Sequence, residues 1–310
     1  MFQILKPGRT IPFMRFAVPA SVFSLILVVL AVASICIKGF NWGLDFTGGT
    51  VIEISFSHAA DLPGVREVLK EKGVDALVQN YGTSRDIMIR MAPSKDLKAA
   101  QQGQQLMDAV QSKYPSATLK QMEFVGPSVG KQLAWQGGLA VLVALLCILM
   151  YVSMRFEWRL ALGAVLALAH DVIITVGIFS FFHIEFDLTV LAAVLTVVGY
   201  SLNDTIVVFD RVRENFRRLR KGDSVRIIDV SMTETLSRTL ITSATTLVVV
   251  ISLYVWGGAM IHNFSLLLVI GIGFGTYSSI YVASAFAMFL GVKREHLMPP
   301  KVEKEGADLP

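Results

Sequence analysis

Apolar and polar positions divide this 310-residue chain into six long apolar runs and one long stretch of mixed character. The apolar runs lie at roughly 16 to 37, 134 to 153, 160 to 182, 188 to 209, 239 to 256 and 265 to 290. Each is close to the roughly 20 mostly apolar residues that cross a bilayer as helix, so six transmembrane helices are expected. An even number of crossings puts both termini on one side. Lys6, Arg9 and Arg15 precede the first run, and Ala31, Val32 and Ala33 imitate a signal-peptide cleavage site. Its apolar stretch of about 22 residues outruns the 7 to 15 of a signal core, so it is expected to stay as a transmembrane helix.

Residues 38 to 133 follow a different pattern. Thr50 to Phe56 alternates as a half-buried strand, and Asp61 to Lys72 places Leu62, Val65, Val68 and Leu69 at helical spacing before Gly73. Ala76 to Tyr81 and Asp86 to Met91 predict two strands around a turn at Gly82, Thr83 and Ser84. Asp96 to Tyr114, stopped by Pro115, predicts a second helix, and Thr118 to Val125 a last strand. The order βαββαβ is that of the ferredoxin-like fold. The expected fold class is therefore a polytopic α-helical membrane protein with one external α+β ferredoxin-like domain. The expected divisions are a tail and first span over 1–37, the external domain over 38–133, spans two to six over 134–292 with a loop at 210–238, and a tail over 293–310.

Composition agrees with a membrane chain: 54% of residues are hydrophobic and 17% charged. The net charge of +4 becomes informative when it is partitioned along the chain. Seventeen Lys and Arg fall in the N-terminal tail, 154–159, 210–238 and the C-terminal tail, whereas 183–187 and 257–264 have none. The excess of basic residues marks the cytoplasmic side, so both termini are expected there. The stretch 38–133 carries eleven basic and ten acidic residues. That near-neutral balance argues against a nucleic-acid or anionic-lipid ligand for the external domain. In the loop, Phe209 to Lys221 holds six of its eight basic residues, interleaved with Phe216 and Leu219. It is either a topology signal alone or an amphipathic helix on the anionic membrane lipid. The two cysteines, Cys36 and Cys147, sit in apolar runs and offer neither a disulfide framework nor a metal site.

Candidate chemistry is sparse. Gly126-Pro-Ser-Val-Gly130-Lys131 imitates a phosphate-binding loop but has the wrong spacing and no Ser or Thr after the Lys; a Gly/Pro hinge into the second span is expected instead. His58 stands alone near a strand end and is expected to be solvated. Ionisable groups at membrane depth are costly and mark function by default. Asp171, preceded by His170, lies about 16 Å into the third span, and Asp204, preceded by Asn203, lies about 9 Å from the inner end of the fourth. Arg238 opens the fifth span and is placed to snorkel or to reach Asp204. Desolvation favours the protonated acid and a nearby guanidinium the carboxylate, the opposed pulls that a proton-loading site requires. Hydrogen-bonded glue between helices is the alternative, above all for Asp171. Two intramembrane acids also fit an aspartyl protease, but no Gly-x-Gly-Asp signature and no His-Glu-x-x-His pair occurs, so no enzyme is expected. Gly271, Gly273 and Gly275 with Ser278 and Ser279 form a small-residue stripe for close helix approach.

Two long motifs carry a resemblance. Phe40-Asn-Trp-Gly-Leu-Asp45-Phe-Thr-Gly48-Gly49-Thr resembles the signature that opens the external domain of the SecF family, bacterial protein-export membrane subunits of the resistance-nodulation-division superfamily. Gly199 to Asn215, with Asn203, Asp204, Asp210 and Arg213, resembles that family's fourth-span motif, and Ala169-His170-Asp171 and Arg238-Thr239 match beside it. The resemblance implies pairing with SecD, assistance to the SecYEG channel in late export of the preprotein, and YajC as a further candidate partner. It implies the proton as coupling ion with no cofactor, and a bacterial inner-membrane location. It assigns the proton-carrying carboxylate to Asp204 and the charged partner to Arg238, with Asn203 in the same motif. Asp45, Gly48 and Gly49 match the family's loop; Asp45 is expected to stabilise that turn. The small-residue stripe is then a candidate SecD-facing surface. A small-molecule exporter of the same superfamily and a passive translocase scaffold are the alternatives.

Overall fold

A computed structural model describes residues 10–74, 76–92, 99–219 and 223–297. The far ends of both tails, residues 96 to 98 of the expected second helix, and Arg220 and Lys221 lie outside them. A short 3₁₀ turn, Phe13–Phe16, leads into α1 (Ala17–Lys38); then come β1 (Asn41–Trp42), α2 (Leu44–Thr47), β2 (Gly49–Ser55), α3 (Leu62–Glu71), β3 (Ala76–Tyr81), β4 (Thr83–Met91), α4 (Ala99–Lys113) and β5 (Thr118–Val125). The rest is helical apart from β6 (Glu185–Phe186): α5 (Pro127–Arg155), α6 (Trp158–Phe181), α7 (Leu188–Arg218), α8 (Ser224–Trp256), α9 (His262–Ile280), α10 (Val282–Phe289) and α11 (Arg294–Leu297). Among the described residues six helices, counting α9 with α10 as one, are long and apolar enough to cross a membrane. The protein is a multi-pass membrane protein.

Several helices outrun their apolar runs. The expected hinge at Gly126 is the start of α5, with Gly126 as N-cap and Pro127 in the first turn, where a missing N–H costs nothing. The 31 and 33 residues of α7 and α8 span about 46 to 50 Å, more than the roughly 30 Å hydrocarbon core, so their ends project beyond it. The segment from Phe209, as far as it is described, is thus the end of α7 rather than a separate surface helix. Its Phe209, Val212 and Phe216 are buried in the bundle core with Ile227, Ile228 and Met232. The apolar face that was open to a lipid reading covers protein.

The inner helices are α6, α7 and α9–α10, about half buried across their apolar windows (50 to 56%), against 11 to 17% for α1, α5 and α8. Small residues bring the inner helices together. A Cβ on Gly271 would run into Val197 of α7, and one on Gly275 would lie 3.2 Å from Cβ of Ser201. The stripe expected to meet SecD therefore seats α9 on α7 of the same chain; of its glycines only Gly273 faces open space. Ser279 donates to the carbonyl of Gly275 at 2.8 Å, back-bonding that bends a helix, and the sixth span breaks two residues later at Tyr281.

In the α/β part the strands run β3-β4-β2-β5, antiparallel throughout. Helices α3 and α4 cover one face, burying Ile52, Ile54, Ile87 and Ile89 against Val65, Leu106 and Val110. The strand alternation sends Glu53 and Met88 to the other face, above a cavity of about 790 Å³ shared with His183, Glu185 and His262. Every expected strand and helix between 50 and 125 is present within a few residues, and His58 is exposed as expected.

Candidate functional site

The loop from Phe40 to Thr50 ties the α/β part to the bundle. Asn41 and Trp42 pair in parallel with Glu185 and Phe186, and the Gly43 N–H donates to the Phe186 carbonyl at 2.8 Å. Phe40, Trp42, Phe46 and Phe186 pack ring to ring at 5.1 to 6.4 Å. Gly48 turns the chain at φ +67, where a Cβ would lie 3.1 Å from the Val125 carbonyl; Gly49 has φ +132 against the Met91 carbonyl. Both conformations disfavour any residue with a Cβ.

Asp45 does more than stabilise its own turn. Its Oδ2 accepts the Leu188 N–H at 2.9 Å, across 143 residues of chain, while Asp187 accepts the Val190 N–H at 2.7 Å. Two carboxylates thus hold the N-terminus of α7, satisfying open N–H groups and its positive end. Arg90 on β4 adds a second tie, donating to the Trp42 carbonyl at 2.8 Å and pairing with Glu185. Burial pushes the Glu185 carboxyl above the usual range and Arg90 pulls it back.

Asp204 lies four turns down α7, buried at 4% exposure. It faces the Ser243 hydroxyl of α8 and feels the Arg238 charge, and its Oδ2 has no hydrogen-bond partner among the described residues. Arg238 is exposed and makes no direct ion pair with it among those residues. Asn203 is not brought to the site: one residue along the helix is a rotation of about 100°, and its side chain is exposed. Asp171 is fully buried and fully engaged, accepting from Ser201 Oγ at 2.5 Å and Ser278 Oγ at 2.6 Å and lying 2.9 Å from His170 Nδ1. His170 Nε2 has no partner among the described residues.

Hydroxyls fill the space around the two acids. Ser201 sits one turn from Asp204 on α7; Thr205 meets Ser279 at 3.2 Å, Ser243 meets Thr276 at 2.8 Å, and Tyr200 reaches Ser243 at 3.4 Å. Sequence reasoning missed this hydroxyl set as site residues. Its signal was present: Ser201, Asp204 and Thr205 are spaced i, i+3, i+4, and Thr239 and Ser243 i, i+4, which puts each group on one helix face. An exchange of protons between a buried carboxylate and neighbouring hydroxyls is the chemistry such a set supports. Among the described residues, no cluster of His, Cys, Asp and Glu is arranged to hold a metal ion.

A sequence model described as protein export membrane protein SecD/SecF, C-terminal, matches residues 105–293, and one for the SecD/SecF GG motif matches 33–60. The chain is 59% identical to the protein translocase subunit SecF of Vibrio alginolyticus, over 99% of this chain and 98% of that one. It is 53% identical to its counterpart in Escherichia coli O157:H7, over 99% and 96%. Among solved structures, SecDF of Thermus thermophilus, titled a translocon-associated membrane protein, superposes with a TM-score of 0.84 at 37% identity over 93% of this chain. SecDF in a super-membrane-facing form gives 0.69 at 36% identity over 94%. The chain spans 40% of the length of each of these two solved chains.

Proposed function

The chain belongs to the SecD/SecF family of protein-export membrane proteins, with relatives named as SecF subunits of the protein translocase, and on that premise we propose that it works with SecD to spend a proton gradient on the late export of preproteins through SecYEG. The observation that carries the proton step is Asp204: a carboxylate buried in a bundle of spans, with one oxygen unpartnered among the described residues. Buried polar groups are normally satisfied, and the exceptions ask for an explanation. A proton that comes and goes supplies one, with the linked hydroxyls of Ser243, Thr276 and Tyr200 beside it.

The strand order and two covering helices support a ferredoxin-like reading of the α/β part, and the Lys and Arg balance supports placing that part outside the inner membrane with both termini in the cytoplasm. Asp45 and Arg90 offer a mechanical route, since a shift of α7 is carried to the domain through its capped end. The two SecDF structures score 0.84 and 0.69 at nearly equal identity, which supports a family that changes conformation. YajC remains a candidate partner. No feature of the bundle favours a small-molecule exporter.

Asp204→Asn keeps shape and most hydrogen bonding but removes the titratable proton. Export should lose its gradient-dependent part in cells while ATP-driven export in gradient-free vesicles is unchanged. Full gradient-dependent export by this variant would leave the passive scaffold standing instead.

A further inference from the structure

A cavity of about 430 Å³ opens where α5 ends beside the projecting end of α7, lined by Arg155, Asp210, Arg213, Glu214, Arg217 and Arg218. Its guanidiniums are held in place. Arg155 reaches both oxygens of Asp210 at 2.6 and 2.7 Å, and Arg213 reaches the same carboxylate at 3.1 Å and the Arg155 carbonyl at 3.3 Å. Both lie over the Phe156 ring, 5.3 and 5.9 Å from its centroid. Glu214 is taken by Arg211 and Arg218 by Glu234. Arg217 donates to the Leu297 carbonyl at 3.1 Å and has no carboxylate partner among the described residues. Among the described residues Arg155 and Arg213 therefore share one carboxylate and Arg217 has none, which leaves two positive charges in the cavity without a carboxylate among those residues.

Fixed guanidinium forks match the oxygens of a phosphate group, and uncompensated like charges repel until an anion enters. The surroundings set the depth. Trp158, three residues past Arg155, is 57% exposed and lies under Arg159 at 4.5 Å, and Tyr151 on α5 is 49% exposed. Exposed Trp and Tyr on a membrane bundle mark headgroup level. A free phosphate ion offers the same oxygens, but only a lipid brings acyl chains to an aromatic rim at that depth.

We infer that this cavity binds the headgroup phosphate of an anionic phospholipid, anchoring the end of α7, the helix that carries Asp204. Basic cavities between spans take such headgroups in general. The site is distinct from the surface-lying helix that the sequence left open, because the apolar face of α7 is buried in protein.

The test uses the full chain in phosphatidylcholine vesicles with Trp42, Trp135 and Trp256 replaced by Phe, so that Trp158 is the only tryptophan. Brominated phosphatidylglycerol at about 10 mol% should quench Trp158 at least about threefold more than brominated phosphatidylcholine at the same level. The joint change Arg213→Gln and Arg217→Gln should bring the two lipids level. Arg217→Gln alone, which breaks no ion pair among the described residues, should cut the excess by about half and covers the case in which the double variant fails to fold. Inorganic phosphate at about 10 mM should leave the excess in place. Equal quenching by both lipids, an excess that survives Arg217→Gln undiminished, or an excess abolished by inorganic phosphate would each overturn the assignment.

Discussion

At the scale of single residues, Asp171 and Asp204 separate by what their oxygens meet. Asp171 accepts two serine hydroxyls and faces His170, the arrangement of polar glue between α6, α7 and α9. Asp171→Asn keeps an acceptor for the serines and should leave gradient-dependent export largely intact. Asp171→Leu strands those buried donors and should lower stability by about 2 to 4 kcal/mol, measured as thermal unfolding in detergent. Asp204 is the opposite case, with one oxygen that has no hydrogen-bond partner among the described residues, so its Asn variant should unfold normally and fail only in gradient-driven export. Outside the bundle, Asp86 is held at a pKa of about 2, against an ordinary 3.8: burial alone would raise it, but bonds from Ser55, Thr83 and Lys120 together outweigh that. A depressed carboxylate stabilises the fold above its unfolded pKa and loses that contribution as pH falls through the folded one. The stability advantage of the native chain over Asp86→Asn should therefore be full above pH 4 and shrink between pH 4 and 2.

At the scale of elements, the inner helices depend on which glycines face them. Replacing a helical Gly by Ala gains about 1 kcal/mol in propensity wherever the methyl has room. Gly273→Ala meets open space and should be neutral or stabilising, whereas Gly271→Ala collides with Val197 and should cost about 1 to 3 kcal/mol through overpacking. Paired melting curves decide it, and equal behaviour would show that α9 does not seat on α7 through this stripe. The start of α7 offers a second contrast. Loss of a capping carboxylate costs about 1 kcal/mol, so Asp45→Ala and Asp187→Ala should both expose the first amides of α7 to hydrogen exchange. Only Asp45→Ala also severs the tie to the α/β part, and it alone should impair export at normal expression level.

At the scale of the whole molecule, two ties join a sheet domain to a membrane bundle. Arg90 grips β1 and β6 together, and Asp45 grips α7. If proton movement at Asp204 drives the domain, a disulfide locking the domain to that of SecD should block export and spare assembly with SecD. Orientation is open to a direct measurement. In a chain with Cys36 and Cys147 changed to Ala, a cysteine at the exposed Ser84 should react with an impermeant reagent on intact spheroplasts, and one at Ser224 should not. Reversed labelling would place the α/β part in the cytoplasm.

Local pattern alone determined a good deal of this protein. Spans, strands and helices follow from periodicity and from turn residues such as Gly73 and Gly82, because backbone hydrogen bonding in a bilayer or a half-buried sheet is a short-range matter. Asp171 and Asp204 were legible for the same reason, since a carboxylate inside an apolar run is conspicuous whatever surrounds it. The rest needed the third dimension. No spacing indicates that Asp45 will meet Leu188, that the glycines of α9 will face α7 instead of a partner, or that Asn203 will turn away from the acid beside it. Rotation of each helix about its axis is set by side-chain packing with neighbours distant in sequence. Tertiary structure alone decided which polar atoms have no partner among the described residues, Oδ2 of Asp204 among them, because partners come from helices distant in sequence.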